Sequence, residues 1–163
     1  LPVEDRRLHS KKEFLDDIAM SLGGYVAEEL IFGDVTTGPS NDLQVSTSLA
    51  RAMVTRWGMS DAIGPVALES DGGKIIHGYV DGGKDYSEEM SAVIDREVKK
   101  IMTDSLELAR KTIGENKKVL DAIAKKLLEV ETLEQDEYNK LIMTFGIKPK
   151  KREEGKEAID IVG

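Results

Sequence analysis

Three carboxylates are the side chains of this sequence best placed for chemistry: Glu28, Glu29 and Asp42. Asp42 falls in the opening turn expected of a helix, after the loop Gly38-Pro39-Ser40-Asn41. By spacing alone it reads as a helix-start aspartate, where a negative charge suits the helix dipole and can cap free N–H groups. Glu28 and Glu29 sit on a helix of their own. At about 100° per residue, Glu29 lies within about 40° of Leu15, Ile18 and Leu22 on the apolar stripe, and Glu28 lies about 100° away, at its margin. A carboxylate on a buried face must find a partner, because burying an unpaired charge is costly. A Lys or Arg would serve, and so would a metal or its ligands.

Other chemistries are less well supplied. A metallopeptidase complete in itself would need a zinc site and a base, usually signalled by His-Glu-x-x-His on a helix. The sequence has no such run. Its two histidines, His9 and His77, are far apart, and neither has a ligand-type residue at the spacing of one helical turn. They read as surface or turn residues. There is no Gly-x-x-x-x-Gly-Lys-[Ser/Thr] loop to cradle phosphates. The Gly-Gly pairs at 23–24, 72–73 and 82–83 have no phosphate-binding pattern, no Ser/His/Asp set is defensible, and Thr36 and Thr37 read as ordinary loop residues. The absence of cysteine excludes disulfides and thiolate zinc sites. A net charge of −8 disfavours nucleic acid and anionic membrane surfaces as partners. No stretch approaches the roughly 18 apolar residues of a membrane span, and the first residues do not read as a signal peptide.

The elements that must position these carboxylates read as mainly α. With aromatics at only 5 %, the core must be aliphatic, which suits packed helices. Ser10 and Glu13 form a capping box that opens a helix over 10–33, with Gly33 as its stop. Gly23 and Gly24 inside it each cost about 1 kcal/mol relative to Ala, which suggests another backbone pressed against them. A loop over 33–41 leads to a helix over 41–58, with Leu43, Ala50, Met53, Val54 and Trp57 inward. Short β-like runs at 65–68 and 75–80 predict a small hairpin within 65–80. Ser87 opens a helix over 87–113, closed by Gly114. Helices over 117–130 (Val119, Leu120, Ile123, Leu127 and Leu128 inward) and 133–145 follow, the last behind a Thr132/Gln135 capping box. The segments 87–113 and 116–145 read as an antiparallel helical bundle. Residues 147–163 read as a flexible charged tail. The organisation expected is one domain over 1–146 and that tail.

With these motifs in order, the sequence resembles the protease domain of the FtsH family of ATP-dependent zinc metalloproteases. The resemblance runs through Leu1-Pro2-Val3-Glu4-Asp5-Arg6, Gly23-Gly24-Tyr25-Val26-Ala27-Glu28-Glu29, Thr36-Thr37-Gly38-Pro39-Ser40-Asn41-Asp42-Leu43 and Ala50-Arg51-Ala52-Met53-Val54-Thr55-Arg56-Trp57-Gly58. It continues in Tyr86-Ser87-Glu88-Glu89, Ile94-Asp95-Arg96-Glu97-Val98 and Leu127-Leu128-Glu129-Val130-Glu131-Thr132-Leu133, and so covers about residues 1–146.

The resemblance implies that this is the later part of a zinc peptidase domain. The two histidine ligands and the catalytic glutamate would lie upstream of Leu1, as would the module that binds ATP and Mg²⁺ and the membrane segments. Asp42 matches the aspartate of the Thr-Gly-x-x-Asn-Asp motif, and the resemblance makes it the third zinc ligand. Glu28 matches the first glutamate of Ala-Glu-Glu and is implied to sit close to the zinc-binding helix, with Glu29 structural. The intact protein would be a homo-hexamer that degrades membrane and unstable soluble proteins, anchored in a bacterial inner membrane (cytoplasmic face) or an organellar one. This segment alone would be soluble and inactive. A non-catalytic helical interaction module of the same family is the alternative. Two departures stand out. Tyr25 occupies a position where arginine is common, and His77 one where an apolar residue is usual.

Overall fold

Ser10 starts the first helix as its spacing predicts. The Ser10 hydroxyl accepts the Glu13 backbone N–H at 3.2 Å, and the Ser10 N–H donates to the Glu13 carboxylate at 2.7 Å, so the capping box is closed on both sides. The computed structural model describes residues 8–69, 75–76, 79–80 and 86–149, with the backbone alone at 75–76 and 79–80. Its helices are α1 (Lys11–Ser21), α2 (Gly23–Phe32), α3 (Ser40–Thr55), α4 (Glu88–Glu115), α5 (Lys117–Val130) and α6 (Gln135–Met143). The protein is mainly α.

The single helix expected over 10–33 is two. Leu22 ends α1 with ψ near −5°, and Gly23 and Gly24 open α2. The glycines mark the break and are not a site of close backbone approach. A Cβ on Gly23 would meet only the Ile113 side chain, at 3.9 Å, and one on Gly24 would meet nothing within 4 Å. A glycine pair favours this break because its backbone loses the most freedom on entering a helix. Gly33 ends α2 at φ 70°, the left-handed turn expected of it.

The core of the first unit is built from one face each of α1, α2, α3 and α4, with α4 packed against the other three. Ile18, Leu22, Val26, Ala50, Met53 and Ala109 form its buried cluster. Tyr25, the departure from the arginine pattern, packs against that cluster. Trp57 was expected inward, but it lies beyond the end of α3, 46 % exposed, and stacks on Phe14 with ring centroids 4.7 Å apart. The helix α4 runs through Gly114 to Glu115, since Gly114 does not take the left-handed conformation that would stop it.

The hairpin expected within 65–80 contracts to a two-residue antiparallel ladder, Ile75–Ile76 with Tyr79–Val80. Residues 65–68 form no strand. The N–H groups of Leu68 and Glu69 both donate to the Thr55 carbonyl, at 2.7 and 3.1 Å, and fold that segment onto the end of α3 instead. His77, the Gly72-Gly73 and Gly82-Gly83 pairs, the first seven residues and most of the 147–163 tail lie outside the described residues.

The chain divides between Glu115 and Asn116, so that α5 and α6 form a unit of their own. They pack on each other with Val119 and Ile142 buried. Leu127 and Leu128 were expected inward but are 40 % and 87 % exposed. The Thr132/Gln135 capping box is not made. Glu131 turns the chain at φ 59°, Glu134 becomes the residue before α6, and the Gln135 amide donates to Asn139 at 3.1 Å.

Candidate metal centre

Helix α3 begins where a proline can begin it. Pro39 is buried at φ −75°, and its carbonyl accepts the Leu43 N–H at 3.0 Å. Having no side-chain oxygen, it gives the start of α3 no side-chain cap. Asp42 is the third residue of this helix, within the positive end of its dipole. Its side chain is exposed and makes no hydrogen bond or ion pair among the described residues. The cap that spacing alone suggested is therefore not formed. Asp42 presents a carboxylate with both oxygens uncommitted.

The two glutamates of α2 go to different partners. Glu28 faces the loop that leads to Asp42. Its carboxylate accepts the Thr36 backbone N–H at 2.9 Å and lies within 3.0 and 3.2 Å of the Thr36 hydroxyl. Glu29 turns to α4. Arg110 grips it with Nε and Nη2, each 2.9 Å from a carboxylate oxygen, while Nη1 holds Glu107 at 2.8 Å. The two parallel bonds of a guanidinium on a carboxylate give this pair its geometry. Hydrogen bonding from Arg110 holds the Glu29 carboxyl below the usual carboxylate range, and Glu29 and Glu107 raise the Arg110 guanidinium in turn. The partner demanded of Glu29 by its place on the wheel is thus an arginine. The pair is only half-covered, with 36 % of each side chain exposed.

A second polar cluster lies at the far end of α3. Arg51 donates to Glu69 and to the Tyr86 hydroxyl, both at 2.9 Å. The hydroxyls of Tyr86 and of the fully buried Thr55 donate to Glu69 at 2.9 and 3.0 Å. Burial pushes the Glu69 carboxyl up, but the donors Arg51, Tyr86 and Thr55 outweigh it and leave it below its ordinary value. The cluster joins α3 to residues 66–69 and to the entry of α4.

His9 is exposed, its ring 5.4 Å from that of Phe14. No three His, Asp or Glu side chains converge among the described residues. Asp42 accordingly offers a metal one oxygen-donor group. Thr36 and Arg110 were not singled out from the sequence. Thr36 was visible only as a turn former, and Arg110 lies 81 residues from its partner, a distance that only the packing of α2 on α4 closes.

The family description for peptidase family M41 matches residues 1–141. The chain is 47 % identical over 145 residues to a protein of Acholeplasma laidlawii named ATP-dependent zinc metalloprotease FtsH, covering 88 % of this chain and 22 % of that protein. Proteins of the same name from Trieres chinensis and Bacillus subtilis are 46 % and 43 % identical, over 92 % and 87 % of this chain and 24 % and 23 % of their own lengths. The chain thus spans less than a quarter of the length of these relatives.

Proposed function

This chain belongs to peptidase family M41, and from that premise we propose that it is the later part of the peptidase domain of an ATP-dependent zinc metalloendopeptidase, to which it contributes the third zinc ligand, Asp42. The observation that carries the reading is the carboxylate itself. It is exposed, free of other bonds and set at the start of α3, directly after a loop anchored on Glu28. A helix N-terminus suits a negatively charged group, and carboxylate oxygen is a ligand type that zinc takes.

The donor set fits zinc as one part of a site. Zinc takes about four ligands, usually nitrogen, sulfur or carboxylate oxygen, and Asp42 supplies one of the right kind. Two histidines and a glutamate base belong, in this proposal, to the portion of the protein upstream of Leu1. Zinc held there would supply an activated water and a Lewis acid for the peptide carbonyl. Asp42 would bind and orient. Glu28 would hold the loop before it, and the α1–α4 core would fix α3 in place.

The relatives' names support the dependence on ATP; the substrates, the assembly and the membrane are proposed from the family resemblance alone. ATP and Mg²⁺ would be bound by an upstream module. The substrates would be membrane proteins and unstable soluble proteins, and the intact enzyme a homo-hexamer held in a bacterial inner membrane, with this segment on its cytoplasmic face. No helix among the described residues is long and apolar enough to cross a membrane, so the anchor would lie in another part of the protein. In the full-length protein, Asp42→Asn should abolish peptide hydrolysis while ATP hydrolysis survives. Proteolysis retained at the parent rate would refute the role of Asp42.

A further inference from the structure

We infer that Thr36 is a positioning residue for Asp42, its hydroxyl tying the loop that leads into α3, on whose first turn the aspartate stands, to the Glu28 carboxylate. The inference rests on the proposed role of Asp42 as a zinc ligand. Thr36 contributes both its backbone and its side chain. The backbone N–H donates to Glu28 Oε2 at 2.9 Å, and the hydroxyl lies 3.0 Å from Oε2 and 3.2 Å from Oε1. A hydroxyl has one proton to give and lone pairs with which to receive. Here it gives its proton to Glu28 and receives the Gly38 N–H at 3.0 Å.

Gly38 is where the loop passes closest to this pair. A Cβ there would lie 3.1 Å from Glu28 Oε1 and 3.2 Å from Thr36 Oγ1, tighter than ordinary contact. The Ser40 N–H then bonds the Thr37 carbonyl at 3.1 Å, and α3 begins. Hydrogen bonds thus hold residues 36–38 to the side chain of Glu28, and a further one closes the turn from Thr37 to Ser40 at the start of α3. The root of these bonds is fixed as well, because the neighbouring Glu29 is held to α4 by Arg110. Groups that orient a metal ligand commonly set metal affinity by a factor of about 10 to 100. The first turn of a helix without a side-chain cap frays, and ordering it on each binding event costs free energy that a tether at its entry removes. The Glu28 oxygens already receive Thr36, so the glutamate acts by holding the loop.

The test is the zinc affinity of the full-length protein, measured by competition with a chromogenic chelator for the parent, Thr36→Val, Thr36→Ser, Gly38→Ala and Asp42→Asn. Valine keeps the shape of threonine but removes both hydroxyl bonds, and serine keeps them. The expected result is zinc binding weakened about tenfold by Thr36→Val, with affinity restored by Thr36→Ser. The melting temperature of the zinc-free protein should be nearly the same in both. Gly38→Ala should weaken binding as well, since it crowds the tether without touching Thr36, and it tests the idea independently should the valine variant fold poorly. Parent-like affinity in Thr36→Val and Gly38→Ala, or equal loss in Thr36→Val and Thr36→Ser, would overturn the inference. If Asp42→Asn loses zinc while Thr36→Val keeps it, the tether alone is wrong. If Asp42→Asn keeps zinc, the ligand assignment falls and the tether with it.

Discussion

At the scale of the residue, two adjacent glutamates have been given separate tasks by their directions on one helix. Glu29 points toward α4 and is paired; Glu28 points toward the loop and is bonded to it. That Glu29 needs a partner was legible, although the stripe with Leu15, Ile18 and Leu22 from which it was read is broken at Leu22, where α2 starts anew. That the partner is Arg110 was not, because a periodic pattern says which face is inward and nothing about what meets it. The Glu29 carboxyl titrates lower in the folded chain than in the unfolded one. Its contribution to stability is therefore present at neutral pH and lost as pH falls through its folded value. Arg110→Met should lower the melting temperature at pH 7, and the difference from the parent should shrink as the pH drops below the usual carboxylate range. Melting curves of both proteins across that range check this; a difference constant with pH would mean that Arg110 acts through packing alone.

At the scale of the element, local rules held where the signal was contained in a few residues. The Ser10/Glu13 box closed as read, and Ser10→Ala should cost about 1 kcal/mol, measured by urea denaturation. The Thr132/Gln135 box had the same letters and failed, because the positive φ of Glu131 redirects the chain just ahead of it. The glycine pair at 23–24 was seen but misread, since a Gly-Gly step is compatible with both a helix crossing and a helix break. Gly58, after α3, shows what a required glycine looks like. Its φ is 60°, and a Cβ would lie 2.9 Å from the Pro65 Cα. Gly58→Ala should cost about 1–3 kcal/mol by the same measurement, whereas Gly24→Ala, helical and in open space, should stabilise by up to about 1 kcal/mol. The β-like run at 65–68 was apolar enough to suggest a strand, but its N–H groups are taken by the Thr55 carbonyl and no ladder forms.

At the scale of the whole molecule, the helical class followed from composition and periodicity, and Asp42 was located at the start of α3 before any coordinates. The division at Glu115 was not foreseen. The same scale explains why one carboxylate is expected to need company. A single oxygen donor group without nitrogen ligands binds zinc weakly, so the 163-residue chain by itself should not retain stoichiometric zinc after dialysis, as read by elemental analysis. The central claim, that this segment completes a zinc site through Asp42, is tested most directly by the zinc-to-protein ratio of the full-length protein and of its Asp42→Asn variant, purified in parallel. About one zinc per chain is expected in the parent and substantial loss in the variant; equal zinc in both would rule out Asp42 as a ligand.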